Sequence, residues 1–148
     1  MKILKRILLV EDSVKDSELT LAALADSHVA NDIVTVRDGV EALDYLYARN
    51  RFASREPGLP AVMLLDIKMP RMDGLEVLRH MKQDPVLRNI PVVMLTSSRE
   101  EPDLAQSYAL GVNAYVVKPV DFQQFFDAVK QVGAFWGVLN QPPPAPRS

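Results

Sequence analysis

The stretch Val62 to Gly74 reads VMLLDIKMPRMDG, four apolar residues running straight into one aspartate, Asp66. Lys68 and Pro70 follow before Gly74. A strand covered on both faces is written as a nearly unbroken apolar run. Nothing in strand formation asks for a carboxylate at its end. A lone aspartate after a strand commonly caps a turn or a helix. The rest of the chain decides whether Asp66 does more.

Four other short apolar runs recur: Arg6 to Val10, Ile33 to Val36, Pro91 to Thr96 and Ala114 to Val117, with Ala61 to Leu65 as the third of five. Segments of helical period alternate with them. Ser17 to Ala25 carries Leu19, Leu21, Ala22, Ala23 and Leu24. Val40 to Ala48 carries Ala42, Leu43, Leu46 and Tyr47. Leu75 to Met81 carries Leu75, Val77, Leu78 and Met81. Leu104 to Leu110 is weaker, and Phe122 to Leu139 is the longest. This (βα)5 alternation predicts an α/β fold, doubly wound, with a five-stranded parallel sheet and helices on both faces. Right-handed crossovers join the strands.

The chain has 148 residues, enough for one stable core. Its net charge of -2 supplies no basic field, so nucleic-acid binding has no support. It contains no cysteine, which removes disulfides, thiolate nucleophiles and zinc fingers. No apolar run reaches the roughly 20 residues of a membrane span. The N-terminal MKILKRILLVED is basic then apolar, as a signal peptide is, but acids stand where a small-residue cleavage site belongs. It reads as a strand of a cytoplasmic protein. Residues 1–139 form the expected domain. The tail 140–148, NQPPPAPRS, has nothing large and apolar to bury and reads as an extended, disordered end.

Ligands of an open parallel sheet bind at the carboxyl ends of its strands. There the first run delivers Glu11 and Asp12, the third Asp66, the fourth Thr96, and the fifth Lys118 before Pro119. The second delivers Arg37 and Asp38, for which only solvation and a helix start suggest themselves. Three carboxylates at one edge repel each other and raise one another's pKa. A hard divalent cation relieves that, and oxygen ligands with water suit Mg²⁺. No histidine stands at a strand end, which weighs against zinc. Mg²⁺ and Lys118 together would neutralise a phosphoryl group, with the Thr96 hydroxyl donating to one of its oxygens. Taken singly, each residue has a plainer reading as a cap, a solvated lysine or a β-former. Their coincidence at one edge favours a site. Ser13 and Asp12 are both candidates to cap the first helix. His80 reads as an exposed helix residue, and His28 as a helix-end residue.

With ILLVEDS, VMLLDIKMPRMDGLEVL, VVMLTSS and AYVVKPVD in this order, the chain resembles a CheY-like receiver domain over about residues 4–139. That resemblance implies a flavodoxin-like sheet and a phosphoacceptor at Asp66. It implies Mg²⁺ held by Glu11, Asp12, Asp66 and the backbone carbonyl of Lys68. Thr96 would be the switch hydroxyl, Tyr115 the switch aromatic and Lys118 the phosphate-contacting lysine, with a cis bond before Pro119. The family role is to accept a phosphoryl group from a histidine kinase and signal through protein contacts. A narrower resemblance rests on EDSVKDSEL, VRDGVEALDYL, the loop RFASREPGLP, SYALGVNAYVVKPVDFQQF and a late FW. It points to the small regulators that partner bacterial phytochromes. Lys68 departs from that subgroup, where asparagine is frequent, and puts the dephosphorylation rate in question.

Competing functions are an aspartyl-phosphate phosphatase, a flavodoxin-like cofactor carrier and a receiver with a transcriptional output. The phosphatase would place a second acid where Lys68 stands. The cofactor carrier would have a phosphate loop rich in Ser, Thr and Gly in place of EDSVKDSE. No GxxxxGK[ST] motif is present for a nucleoside triphosphatase. No helix-turn-helix segment follows for a transcriptional output. The chain is therefore expected to catalyse only its own phosphorylation and dephosphorylation. Phe122, Phe125, Phe126, Val129 and Val132 follow a core-like spacing. Phe135, Trp136 and Leu139 extend it, either as a cap on the bottom of the core or as an interface. The subgroup likeness favours a homodimer through the last helix region.

Overall fold

In the computed structural model of the protein, residues 2–26, 32–96, 111–112 and 114–132 are described, the side chains of Thr96 and Phe122 excepted. The elements run β1 (Ile3–Val10), α1 (Val14–Asp26), β2 (Asp32–Val36), α2 (Gly39–Leu46), β3 (Leu59–Asp66), α3 (Gly74–Gln83), β4 (Val92–Thr96), β5 (Ala114–Val117) and α4 (Phe122–Gln131). Short 3-10 turns occupy Asn50–Phe52 and Leu87–Asn89. The expected helix at 104–110, His28, and the continuation of the last helix with its tail lie outside the described residues.

All five strands are parallel, in the order β2-β1-β3-β4-β5. The chain starts near the middle, moves to one edge, then returns across β1 to the other. That reversal places the ends of β1 and β3 side by side, at the point where such sheets bind ligands. The two strands pair Ile7 with Val62 through Val10 with Leu65. They begin earlier than their apolar runs suggest, because Ile3 and Leu4 pair with Leu59 and Pro60 before a register shift. Proline is tolerated near the start of a strand, where its missing N–H costs least.

Alternate residues of each strand feed opposite cores. Leu8, Val10, Met63, Leu65 and Met94 face α2 and α3, joined by Leu43, Tyr45, Val77 and Leu78. Ile7, Leu9, Val62, Leu64, Val93 and Leu95 face α1 and α4, joined by Leu24, Phe125 and Val129. Every residue of β3 is buried, which is why its sequence does not alternate. Each large aliphatic side chain so buried contributes about 1.5–3 kcal/mol relative to exposure.

Two helix faces differ from the expected ones. On α1 the buried positions are Thr20, Ala23 and Leu24, while Leu19 and Ala22 are exposed. A buried threonine carries no apolar signal, so Thr20 was absent from the expected stripe, whose Ala23, Leu24 and half-buried Leu21 do face the core. On α2 the buried tyrosine is Tyr45, not Tyr47. The Tyr45 hydroxyl accepts a hydrogen bond from Arg6 at 3.1 Å, and its ring stacks edge-on against Phe52 and beneath the Arg55 guanidinium. The Arg55 side chain also donates to the carbonyls of Tyr45, Leu46, Glu56 and Gly58. One side chain therefore ties the end of α2 to the segment entering β3. His80 is exposed on α3, as expected.

Candidate functional site

β1 and β3 end together, and the backbone beyond each is still held. Glu11 N–H donates to the Val36 carbonyl at 3.0 Å, and Ile67 N–H to the Leu95 carbonyl at 3.1 Å. Asp66 thus ends β3 within the sheet, and Glu11 sits on the extension of β1. Gly74 N–H returns to the Ile67 carbonyl at 2.8 Å, drawing the start of α3 against the end of β3. A Cβ on Gly74 would lie 2.2 Å from the Asp66 carbonyl oxygen, so only glycine permits this approach. Asp73 caps α3 by accepting the Glu76 N–H at 2.9 Å.

Glu11 and Asp66 are buried and Asp12 is exposed. One carboxylate oxygen from each lies within 4.8 Å of the others. This is an all-oxygen donor set with an open side, the chemistry of a hard divalent cation that keeps several waters. The residues present therefore fit such an ion. An open cleft of about 530 Å³ lies against Glu11 and Asp12, walled by α1 and by Arg37, Glu41 and Arg51.

Lys118 reaches this cluster from the end of β5. Its ammonium donates to Glu11 Oε1 at 2.6 Å and to Asp16 Oδ2 at 2.9 Å, and lies 3.4 Å from Asp66 Oδ2. The bond from Lys118 to Pro119 is cis. Burial first, and then Glu11 beside it, push the Asp66 carboxyl up to about 7 against the opposing pull of Lys118. Burial works to lower the Lys118 pKa, but its bonds to Glu11 and Asp16 hold it above the usual lysine range. The edge thus carries more negative charge than its lysine neutralises.

The structure brings Glu11, Asp12, Asp66 and Lys118 together as the sequence suggested. Thr96 ends β4 and pairs with Val117 in β5, and its side chain lies outside the described residues. Tyr115 is half-buried on β5 against the core shared with α2 and α3. Lys68 is exposed just beyond Asp66. Phe135, Trp136 and Leu139 lie outside the described residues.

Two site features escaped the sequence reading. Asp16 meets Lys118 across 102 positions of chain. Its only local sign was its place one helical turn beyond Asp12. The Ser13 hydroxyl accepts the Asp16 N–H at 3.2 Å, so Ser13 caps this turn and Asp16 is left to face the lysine. The second feature is Asp38. It does start α2, accepting the Glu41 N–H at 2.9 Å. Its other oxygen takes Arg71 Nε at 2.8 Å and Arg71 Nη2 at 2.7 Å. Arg71 belongs to the loop after Asp66 and has a positive φ of 64°. Gly39 N–H donates to the Met72 carbonyl at 3.1 Å beside it. The loop leaving Asp66 is therefore fastened to the start of α2.

Comparison with known proteins agrees with this geometry. A family profile described as "Response regulator receiver domain" matches residues 7–130. The response regulator Rcp1 of Synechocystis sp. is 39% identical over 132 residues, covering 89% of this chain and 88% of Rcp1. Its Mn²⁺-bound crystal structure superposes with a TM-score of 0.73 at 38% identity, over 95% of this chain and 99% of that one. The bacteriophytochrome response regulator AtBRR is 59% identical, with a TM-score of 0.85 over 93% of this chain and 99% of its own. The phosphorylated cyanobacterial phytochrome response regulator RcpA is 44% identical, with a TM-score of 0.74 over 90% of this chain and 94% of its own.

Proposed function

Because the chain belongs to the response regulator receiver domain family, we propose that Asp66 is its phosphoacceptor. The observation that carries this reading is a buried carboxylate at a strand end, with two acids within metal-sharing distance and Lys118 at 3.4 Å. The donor is a phosphohistidine of a histidine kinase, and a bacterial phytochrome is that kinase by likeness to the regulators named for phytochromes. A carboxylate oxygen of Asp66 forms the new P–O bond as the donor's P–N bond breaks, and the histidine nitrogen leaves with its electron pair. Glu11, Asp12, Asp66 and the Lys68 carbonyl would hold Mg²⁺. That ion would supply charge neutralisation at the phosphoryl oxygens. Lys118 donates to those oxygens from β5, and the Thr96 hydroxyl donates from β4.

The acyl phosphate adds about -1.5 to -2 charges at a rim already rich in carboxylates. Thr96 and Tyr115 respond as the switch pair, and the signal leaves by protein contact, with no catalytic turnover on outside substrates. Residues 1–139 act as the receiver and 140–148 as an extended tail. The site of action is the cytoplasm, and among the described residues no helix is long and apolar enough to cross a membrane. The partner in assembly is a second copy, joined through Phe135, Trp136 and Leu139.

Incubation with acetyl phosphate and Mg²⁺, followed by intact-mass and peptide mapping, tests the acceptor. One phosphoryl group on Asp66 is expected, and none on Asp66→Asn. Label persisting on Asp66→Asn, or continuous release of phosphate at high turnover, would overturn the assignment. Sedimentation of the parent beside Trp136→Ala tests the assembly. A dimer at micromolar concentration is expected, weakened by the substitution. A parent that stays monomeric ends that part of the proposal.

A further inference from the structure

Lys118 is shared among three carboxylates that differ in what else they can do. Glu11 and Asp66 belong to the trio whose oxygens lie within 4.8 Å of one another, and Asp16 does not. Any cation held by that trio competes with the lysine for Glu11 and Asp66. Among the described residues, Asp16 is the one partner for which the two do not compete. Its oxygen is 2.9 Å from the ammonium, closer than Asp66 at 3.4 Å, and its side chain is about one-third exposed. The Lys118 side chain is nearly covered, so its ammonium needs a partner at all times.

We infer that Asp16 is a positioning residue that anchors Lys118 on the α1 side when Glu11 and Asp66 turn to a divalent cation. This rests on the reading of Asp66 as the phosphoacceptor with a bound cation, and adds a residue to it. Without Asp16, the carboxylates left to the ammonium among the described residues are those the metal uses, and each metal ion would have to displace it. Asp16 thus separates the two cations of the site. The plainer role for an acid in a first helical turn is a favourable meeting with the helix dipole. That role needs no lysine, and the two can be told apart.

Calorimetric titration with MgCl₂ of the parent, Asp16→Asn, Lys118→Met and the double variant forms the cycle. Asp16→Asn should weaken Mg²⁺ binding about fivefold or more in the parent background, as two coupled sites do. In the Lys118→Met background the same substitution should change it by less than about twofold. Asp16→Glu should restore most of the parental affinity. Equal losses in both backgrounds, or no loss in the parent, would overturn the inference, since the acid would then act only through its field or its helix. A second measurement needs no Lys118 variant. The ¹⁵N signal of the Lys118 ammonium should survive saturation with Mg²⁺ in the parent and broaden into exchange in Asp16→Asn. An ammonium signal indifferent to Asp16 would equally refute it. Both readouts are independent of phosphorylation, so label found on a residue other than Asp66 would sink the acceptor assignment while leaving this cycle to be judged alone.

Discussion

Two cations stand near the carboxyl edge of the sheet, and they meet their acids under opposite conditions. Arg71 is more than half exposed and, among the described residues, forms its ion pair with Asp38, both guanidinium contacts falling on one carboxylate oxygen. Lys118 is nearly covered and faces Glu11, Asp16 and Asp66 at once. The first arrangement is balanced and fastens a loop. The second is short of positive charge and holds the acids close together in spite of it. A balanced pair has nothing further to bind, whereas an under-neutralised cluster is stable only until a better cation arrives. Charge balance, and not the number of ion pairs, distinguishes the scaffold from the site.

The sharpest way to break that contrast is to remove the buried cation. Lys118→Ala should cost about 3 kcal/mol of stability in the absence of divalent metal, because Glu11 is left covered and unpaired. Millimolar Mg²⁺ should return much of that loss in urea denaturation. A loss untouched by Mg²⁺ would mean that the lysine supports packing and not charge.

A second effect depends on pH. Asp66 holds its proton up to about 7 in the fold, while the unfolded chain releases it near 3.8. The folded state therefore binds the proton more tightly. The stability this group contributes is full below about pH 4 and is lost as pH rises through about 7. Metal-free Asp66→Asn should gain on the parent over that interval, and the two should converge in acid. Parallel curves across it would show that the carboxyl is not held protonated.

The smallest effect belongs to the balanced pair. Arg71→Ala should lower stability by less than about 1 kcal/mol, with the difference shrinking as salt is added. A loss of several kcal/mol would place the loop after Asp66 among the main supports of the fold.

Much of this was legible in the sequence, for a physical reason. Strands buried on both faces leave unbroken apolar runs, and parallel topology sends every run's last residue to one edge. Glu11, Asp12, Asp66 and Lys118 could therefore be gathered without knowing any distance. Thr20 and Tyr45 were missed because a buried hydroxyl looks like a surface residue until its partner is known. Asp16 and the Asp38–Arg71 pair were missed because their contacts span 102 and 33 positions. Periodicity carries no information about side chains that meet only after the sheet is assembled. Gly74 belongs to a third kind. It was visible as a letter, but its need to be glycine arises from the Asp66 carbonyl oxygen against it.

The guanidinium of Arg55 gathers main-chain carbonyls from both sides of its turn, and Ser54 beside it is exposed. This turn enters β3 at the end opposite Asp66, about 25 Å away along an eight-residue strand. The chain contains no cysteine. A single thiol introduced by Ser54→Cys would thus be unique, accessible and rigidly mounted, yet remote from the acids. A dye attached there becomes a spectator whose tumbling and distance to a second label report assembly in real time, with the chemistry left undisturbed.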